Sequence, residues 1–354
     1  MKTYSLAAEG TKLVLEENVL AVIADFPLQT VSSAFHNGGC KQTSVIVNAQ
    51  VTKEYGDSNL HDDPEDFIQK TYPKLGLTQE YVGMVTFAGV ADFSKVSRGN
   101  GGVAVTVVAT AGCTHSESSG EEIRLQPIAG TINIIVLIDG NPTESCLTSC
   151  IITATEAKTA ALRELDVRSL YSGTEATGTI TDAMVVAKTS RGAEIIYSGP
   201  ASPLGQLVGA CTRQAVKEAV MKGKIGGFLP QRPLTARFEE RHLSVAKMAQ
   251  ELSKVKSLGQ DEKAIEAELT RILEAEPALA TVLFAAAKVS EEFGKGSVPK
   301  GFDANVLGAR AAEVLLGKKA SVCDDCRVDL PPYLAQVLIA LLQKAFSEKQ
   351  NWKH

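Results

Sequence analysis

Long apolar runs and basic clusters are both absent from this chain of 354 residues. No apolar run approaches the roughly 20 residues that a bilayer span requires, and no segment has the basic start and apolar core of a signal peptide. No stretch rich in Lys and Arg with interleaved aromatic residues occurs, and the formal net charge is -5. We therefore expect a soluble, cytoplasmic protein that binds neither membranes nor nucleic acid.

The motifs of several enzyme classes are missing as well. The sequence contains no HExxH, Walker-type loop, GxGxxG or GxSxG, so zincin, P-loop, dinucleotide-binding and α/β-hydrolase interpretations lose their main support. Most of the seven cysteines are scattered through apolar or helical segments, which favours free thiols in a reducing compartment. Cys323 and Cys326 form a lone CxxC, which is half of a structural zinc site. We predict no metal site, with a zinc ion shared between subunits as the alternative.

Apolar runs of strand length dominate the first two thirds of the chain. The predicted strands are 11–15 and 19–23, joined as a hairpin, then 42–47, 84–89, 103–109, 131–138, 182–188 and 194–197, of which the last two form a second hairpin. Helices are predicted for 61–70, with Asp63 as its cap, for 142–165, with Pro142 in its first position, and from Ser202 onward.

The pattern changes near Lys222. Residues 223–237 are rich in glycine and proline, which interrupts both periodicities and predicts a linker. The elements predicted beyond it are all helices, at 241–257, 262–275, 277–292, 303–316 and 332–347. The predicted fold class is α/β of the mixed α+β kind: a mixed β-sheet covered by long helices in a domain spanning 1–222, and a separate all-α bundle at 238–348.

Lys158 is the residue that departs most from its surroundings. In a helix over 142–165 it falls on a stripe of apolar residues spaced by three and four: Leu147, Ile151, Ala154, Ala161 and Leu165. An ammonium group buried there needs a carboxylate, a phosphate or a polar cavity beside it. Lys158 can stabilise an oxyanion, hold a substrate carboxylate or serve as a base; alternatively, it extends to solvent or pairs with a structural acid.

Two carboxylates accompany it as candidates for amide or ester hydrolysis, which needs a proton shuttle and donors for the developing oxyanion. Asp182 ends the hydroxyl-rich run from Ala176, where it can act as a general base or accept a hydrogen bond from substrate; the alternative is an Asx turn. Glu156 is either a catalytic carboxylate or a solvated helix residue. Because residues two apart on a helix point in different directions, Glu156 cannot pair with Lys158.

Further polar candidates lie at strand ends. Asn133 begins the most apolar strand, on a face with Ile135, so its amide either ties two loops together or takes part in catalysis. Residues 32–39 combine hydroxyls, an imidazole and glycines, as a binding loop does. His36 can be a general base, an axial metal ligand or a loop histidine without chemistry, and the same alternatives apply to His115.

A series of short motifs runs through residues 15–220 in one order: Ser32-Ser33-Ala34, Asn37-Gly38-Gly39, Asn48, Gly83-Met84-Val85-Thr86, Thr110-Ala111-Gly112, Gly130-Thr131-Ile132-Asn133, Thr155-Glu156-Ala157-Lys158-Thr159, Ala176-Thr177-Gly178-Thr179-Ile180-Thr181-Asp182 and Leu204-Gly205. This series resembles the adenosylcobinamide amidohydrolases (CbiZ-type) of corrinoid salvage. Two parts depart from the family pattern: the loop from Cys113 to Ser116, and the helical module after residue 238.

The resemblance implies hydrolysis of the amide that joins aminopropanol to a corrin ring propionate in adenosylcobinamide, giving adenosylcobyric acid for coenzyme B12 synthesis. The cobalt corrinoid is then the substrate, and no further cofactor is expected. We expect Glu156 or Asp182 to activate water and Lys158 to stabilise the oxyanion. The expected substrate-binding residues are Ser32, Ser33, His36, Asn37, Asn48, Thr131, Asn133, Thr177, Thr179 and Thr181.

Two other functions stay open at this stage. One is a non-catalytic corrinoid carrier or sensor, and the other is a hydrolase of a different amide. The C-terminal helices can serve homo-oligomerisation, cover the cleft or contact another protein.

Overall fold

The computed structural model describes residues 1–51, 64–122, 131–223, 232–299, 301–317 and 328–351. The chain divides into two compact units, Met1–Pro230 and Gln231–His354. The predicted cap Asp63 and the pair Cys323 and Cys326 lie outside the described residues. None of the helices in the described ranges combines the length and hydropathy that a bilayer span requires.

The first unit contains both strands and helices. Its described strands are β1 (Lys2–Ser5), β2 (Thr11–Glu16), β3 (Val19–Ser32), β4 (Gly39–Gln50), β5 (Tyr81–Thr86), β6 (Ser94–Asn100), β7 (Val103–Ala111), β8 (Ser116–Glu117), β9 (Ile132–Asp139), β10 (Asn141–Pro142), β11 (Gly178–Thr179), β12 (Ala183–Lys188) and β13 (Glu194–Ile195). Its described helices are α1 (Pro64–Thr71), α2 (Glu144–Glu164) and α3 (Pro203–Lys222).

One sheet of nine strands forms the centre of this unit, in the order β1-β2-β3-β12-β9-β7-β6, with β4 paired to β3 and β5. The pairs β4–β5 and β9–β12 are parallel and the others are antiparallel, so the sheet is mixed, as predicted. Strand β3 is long, and its register with β4 shifts between Ile23 and Leu28. Such an irregularity increases local twist, which fits the curled form of this sheet.

Both faces of the central strand β9 are buried, which explains its continuous apolar sequence. Its residues Ile132, Ile134, Val136 and Ile138 pack in one cluster with side chains of α2 and α3. Ile135 and Leu137 face the other way, into a cluster built from β2, β3, β4, β5 and β12. Phe67 and Ile68 of α1 pack against side chains of β4 and β5 in a separate hydrophobic cluster.

Two local predictions are wrong. Helix α2 begins at Glu144, because Thr143 caps it by accepting a hydrogen bond from the N–H of Cys146, whereas Pro142 belongs to β10. The predicted hairpin between 182–188 and 194–197 does not form: β13 pairs with β10. Both edges of β12 are already occupied, by β3 and β9, so no edge remains for β13.

All the regular secondary structure in the described residues of the second unit is helical. Its helices are α4 (Leu234–Glu239), α5 (Val245–Ser253), α6 (Glu262–Ala275), α7 (Pro277–Gly294), α8 (Ala304–Leu316) and α9 (Pro332–Asn351). They share one core of buried apolar side chains, including Phe238, Leu252, Leu269, Leu283 and Leu338. Helix α4 starts inside the segment predicted as a linker, because Phe238 packs edge-on against Phe284, with ring centroids 6.0 Å apart.

Candidate functional site

The buried lysine of α2 is paired with a carboxylate. Nζ of Lys158 donates a hydrogen bond to Oδ2 of Asp182, and the two side chains are 11% and 15% exposed. Lys158 reaches this position because α2 packs its apolar face on β9 and β12, while Asp182 stands immediately before β12. The fold therefore brings together two of the three predicted catalytic residues.

Asp182 is held by four donors. Its Oδ1 accepts from the N–H of Ile132 at 2.9 Å and from the hydroxyl of Thr179. Its Oδ2 accepts from the N–H of Thr179 at 3.1 Å and from Lys158. A carboxylate has about four lone-pair sites, so this set occupies the accepting capacity of Asp182. The geometry suits a residue that positions Lys158 and closes the 176–182 loop.

Because Gly178 has no side chain, there is room beside it for the Lys158–Asp182 ion pair. A β-carbon at this position would stand 2.5 Å from Oδ2 of Asp182 and 2.7 Å from Nζ of Lys158. Both separations are shorter than any ordinary contact between these atoms, so only glycine fits without moving the pair. The glycine of the Ala176–Asp182 run is thus explained by contact with the two charged groups.

Strand β8 brings another carboxylate to the pair, one that the sequence patterns did not single out. Glu117 lies directly opposite Gly178 in the antiparallel β8–β11 ladder. Burial and the negative charges of Asp182 and Glu121 raise the pKa of Glu117 above its ordinary value, whereas the charge of Lys158 lowers it. The only sequence signal for Glu117 is its position in the polar segment that follows β7, directly after the loop from Cys113 to Ser116.

Cys113 lies in the same loop and within electrostatic reach of the pair. Burial, followed by the charge of Asp182, raises the pKa of the Cys113 thiol to about 12, although Ser116 and Lys158 act in the opposite direction. A thiol with such a pKa stays protonated at neutral pH and is a poor nucleophile. The departure from the family pattern at 113–116 therefore does not supply a reactive cysteine.

The predicted threonines all lie near this pair, but their hydroxyls are used within the loops. Oγ1 of Thr131 is 2.7 Å from Oγ1 of Thr181, and the hydroxyl of Thr177 donates to Oγ of Ser119 at 3.2 Å. The hydroxyl of Thr179 donates to Asp182. These hydrogen bonds hold in place the loop segments that surround Lys158.

Asn48 and Asn133 form a buried network inside the sheet. Nδ2 of Asn133 donates to Oδ1 of Asn48 at 2.8 Å and to the carbonyl of Val85 at 2.9 Å. Oδ1 of Asn133 accepts from the N–H of Ala183, and Nδ2 of Asn48 donates to Thr110. Both side chains belong to residues that are at most 2% exposed. The geometry matches the alternative in which Asn133 ties segments together.

Ser32 is the last residue of β3, and the loop between β3 and β4 holds the predicted residues Ser33, His36 and Asn37. Oγ of Ser33 accepts from the N–H of Met184, two residues beyond Asp182, which connects this loop to the start of β12. The His36 ring stacks on Tyr81, with centroids 4.4 Å apart.

Both ring nitrogens of His36 have partners. Nδ1 is 3.0 Å from Oε1 of Glu65, and Nε2 is 3.0 Å from Nδ2 of Asn37. Since the Asn37 amide is a donor, Nε2 accepts and Nδ1 donates to Glu65, an assignment made from the hydrogen bonds. This arrangement orients the ring at the loop surface.

Glu156 is placed apart from the pair. It is exposed on α2 and lines a cavity of about 460 Å³ with neighbours that include Arg163 and Arg213. Residues two apart on a helix diverge in direction, which is why Lys158 is buried and Glu156 is not. Among the described residues, no group of three or more His, Cys, Asp or Glu side chains is arranged to hold a metal ion.

Comparison with known proteins adds a family assignment for the first unit. Residues 2–225 match the family model described as adenosylcobinamide amidohydrolase. A protein of that name from Methanosarcina mazei is 30% identical over 223 residues, which cover 60% of this chain and 96% of the relative. Another from Halobacterium salinarum is 25% identical over 194 residues, covering 52% of this chain and 77% of the relative.

A third relative, an uncharacterized protein from Methanocaldococcus jannaschii, is 39% identical over 94 residues. That match covers 26% of this chain and 36% of the relative, so it spans about a third of the relative's length.

Proposed function

The chain belongs to the adenosylcobinamide amidohydrolase family, and on that premise we propose that it hydrolyses the amide between aminopropanol and the corrin ring propionate of adenosylcobinamide. The products are adenosylcobyric acid and 1-amino-2-propanol, and the reaction serves corrinoid salvage. The observation that supports this most is the buried Lys158–Asp182 pair, which lies within the family match and supplies a fixed positive charge beside strand-end loops.

In the proposed reaction, a water molecule attacks the amide carbonyl and the carbonyl oxygen becomes negatively charged. The ammonium of Lys158 stabilises this oxyanion, because Asp182 holds it in place before the charge develops. Preorganised donors of this kind are each worth about 3–4 kcal/mol of transition-state stabilisation. The raised pKa of the Cys113 thiol makes it a poor nucleophile, which is consistent with water as the attacking group.

The test is to incubate the purified full-length protein with adenosylcobinamide and to separate the corrinoids by chromatography with mass detection. We expect adenosylcobyric acid to accumulate with an equal amount of 1-amino-2-propanol, and Lys158→Met to lose this activity. An exposed lysine, Lys95→Met, is the matched control.

The same experiment separates the alternatives. A corrinoid that binds tightly and is recovered unchanged would indicate a carrier or sensor. Turnover of other corrinoid amides, with adenosylcobinamide left intact, would indicate a hydrolase of a different bond. Either result would overturn the proposed reaction.

A further inference from the structure

We propose that Glu117 is the catalytic carboxylate of this site: it takes a proton from the attacking water and returns it to the leaving amine while Lys158 holds the oxyanion. This inference rests on the proposed function.

The register of the β8–β11 ladder places Glu117 on the face of the ion pair. Residues directly opposite each other in an antiparallel pair carry their side chains on the same face, with β-carbons about 5 Å apart. Glu117 is opposite Gly178, and a β-carbon on Gly178 would point at Lys158 and Asp182, 2.7 Å and 2.5 Å from their charged atoms. The side chain of Glu117 therefore lies on the same face as the ion pair, and the charges of Asp182 and Lys158 act on it.

The other carboxylates considered for this role are less suited to accept a proton. Asp182 already accepts from Ile132, twice from Thr179 and from Lys158, so it has no lone-pair site left for a water proton. Glu156 is exposed on another face of α2. Within the described part of the chain, no hydrogen bond engages the carboxylate of Glu117, which leaves it able to accept from water.

The electrostatic surroundings of Glu117 also suit a general base. The groups that act on Glu117 are Asp182, Glu121 and Lys158, and Tyr171 and Cys113 titrate close by. Burial and the two neighbouring carboxylates raise the pKa of Glu117 from its ordinary value of 4.5, despite the opposing charge of Lys158. A carboxylate whose pKa is raised toward neutrality is a stronger base when ionised and a competent acid when protonated.

The proton balance of the step is complete. Water oxygen bonds to the amide carbon as one water proton moves to Glu117, which gives a tetrahedral oxyanion facing Lys158. The carbon–nitrogen bond then breaks as Glu117 returns the proton to nitrogen, so aminopropanol leaves and the propionic acid is formed. No oxidant, reductant or additional reactant is needed.

The test compares full-length wild type, Glu117→Gln and Glu117→Asp, with Glu194→Gln as a control at an exposed glutamate. For Glu117→Gln we expect kcat to fall by about 10²- to 10⁴-fold, which is the usual contribution of general acid–base catalysis. Its Kd for adenosylcobinamide, measured by equilibrium dialysis, should change less than about threefold, because glutamine has nearly the same shape. Glu117→Asp should keep partial activity, and the control should match wild type.

The pH profile separates catalysis from a structural role. In wild type, kcat/KM should fall at acid pH as Glu117 becomes protonated, because the base must be ionised. The pKa of this acid limb should lie above 4.5. In Glu117→Gln this acid limb should disappear from the residual rate. A folded Glu117→Gln with wild-type kcat, or a wild-type profile flat down to pH 4.5, would overturn the role of Glu117 while leaving the proposed reaction intact. Absence of turnover by wild type would overturn both.

Discussion

Gly178 stands against the carboxylate of Asp182: a β-carbon on Gly178 would be 2.5 Å from Oδ2. The same β-carbon would be 2.7 Å from Nζ of Lys158. The Lys158–Asp182 pair can therefore keep its position beside β11 only if residue 178 has no side chain. Gly178 also stands opposite Glu117, so the backbone of β11 is the common neighbour of all three charged groups.

Gly178→Ala should therefore disrupt activity more than stability. The added methyl group forces the Lys158–Asp182 pair to shift, and a displacement of about 1 Å at a catalytic group costs on the order of 10²-fold in rate. Turnover of adenosylcobinamide and the Tm measure the two effects. Gly199→Ala is the control, because a β-carbon at Gly199 would have nothing within 4 Å of it. Wild-type turnover by Gly178→Ala would contradict this account.

A double variant should separate the contribution of the ion pair to protein stability from its contribution to turnover. Lys158→Met leaves Asp182 without its cationic partner at a buried site, which should lower the free energy of unfolding by about 3 kcal/mol. Adding Asp182→Asn removes the unpaired charge and should recover much of that loss, but not the turnover. Urea denaturation and product formation test this; recovered turnover in the double variant would exclude Lys158 from catalysis.

Asn133→Ala should act on folding. It leaves Oδ1 of Asn48, the carbonyl of Val85 and the N–H of Ala183 without their partner. Unsatisfied buried groups cost about 1–3 kcal/mol each, so we expect a loss of about 3 kcal/mol in urea denaturation and an unchanged KM below the Tm. Asn100→Ala, at an exposed asparagine, is the control. A raised KM with full stability would instead favour a substrate contact.

Cys113 should be unreactive in the folded protein. Its pKa of about 12 keeps the thiol protonated at pH 8, so iodoacetamide should modify exposed Cys40 long before Cys113. Peptide mass mapping in the presence and absence of urea provides the comparison, because unfolding removes the protection. Cys113→Ser should retain turnover within a few-fold. A loss of about 100-fold would point to a cysteine nucleophile.

The first unit should fold and act without the second. Its hydrophobic clusters draw their described residues from positions up to Val220. A truncated chain of residues 1–230 should thus be monodisperse, unfold cooperatively and keep kcat within about threefold of the full chain. Gel filtration, thermal denaturation and turnover check this. A folded but inactive 1–230 protein would assign the helical unit a direct part in the reaction.

Local rules are sufficient for many elements. The β2–β3 hairpin, the apolar strand β9 and helices α5 to α9 of the second unit follow from periodicity and turn residues, and the structure confirms them. Local rules are insufficient where tertiary pairing decides: β12 takes β3 and β9 as neighbours, which excludes the predicted hairpin with β13. Helix α4 likewise begins within the glycine- and proline-rich segment and extends beyond it to Phe238, which packs against Phe284.

The sequence by itself determined that Lys158 lies on an apolar helical stripe and must meet a polar partner, because helical spacing places it among buried residues. Only the tertiary structure decided which carboxylate that partner is, and which other carboxylate stands beside it. Asp182 is 24 positions away along the chain, and Glu117 is placed on the face of the pair by strands of two residues each, too short to leave a periodic signal. Contacts of this kind depend on how distant segments pack, which no local pattern encodes.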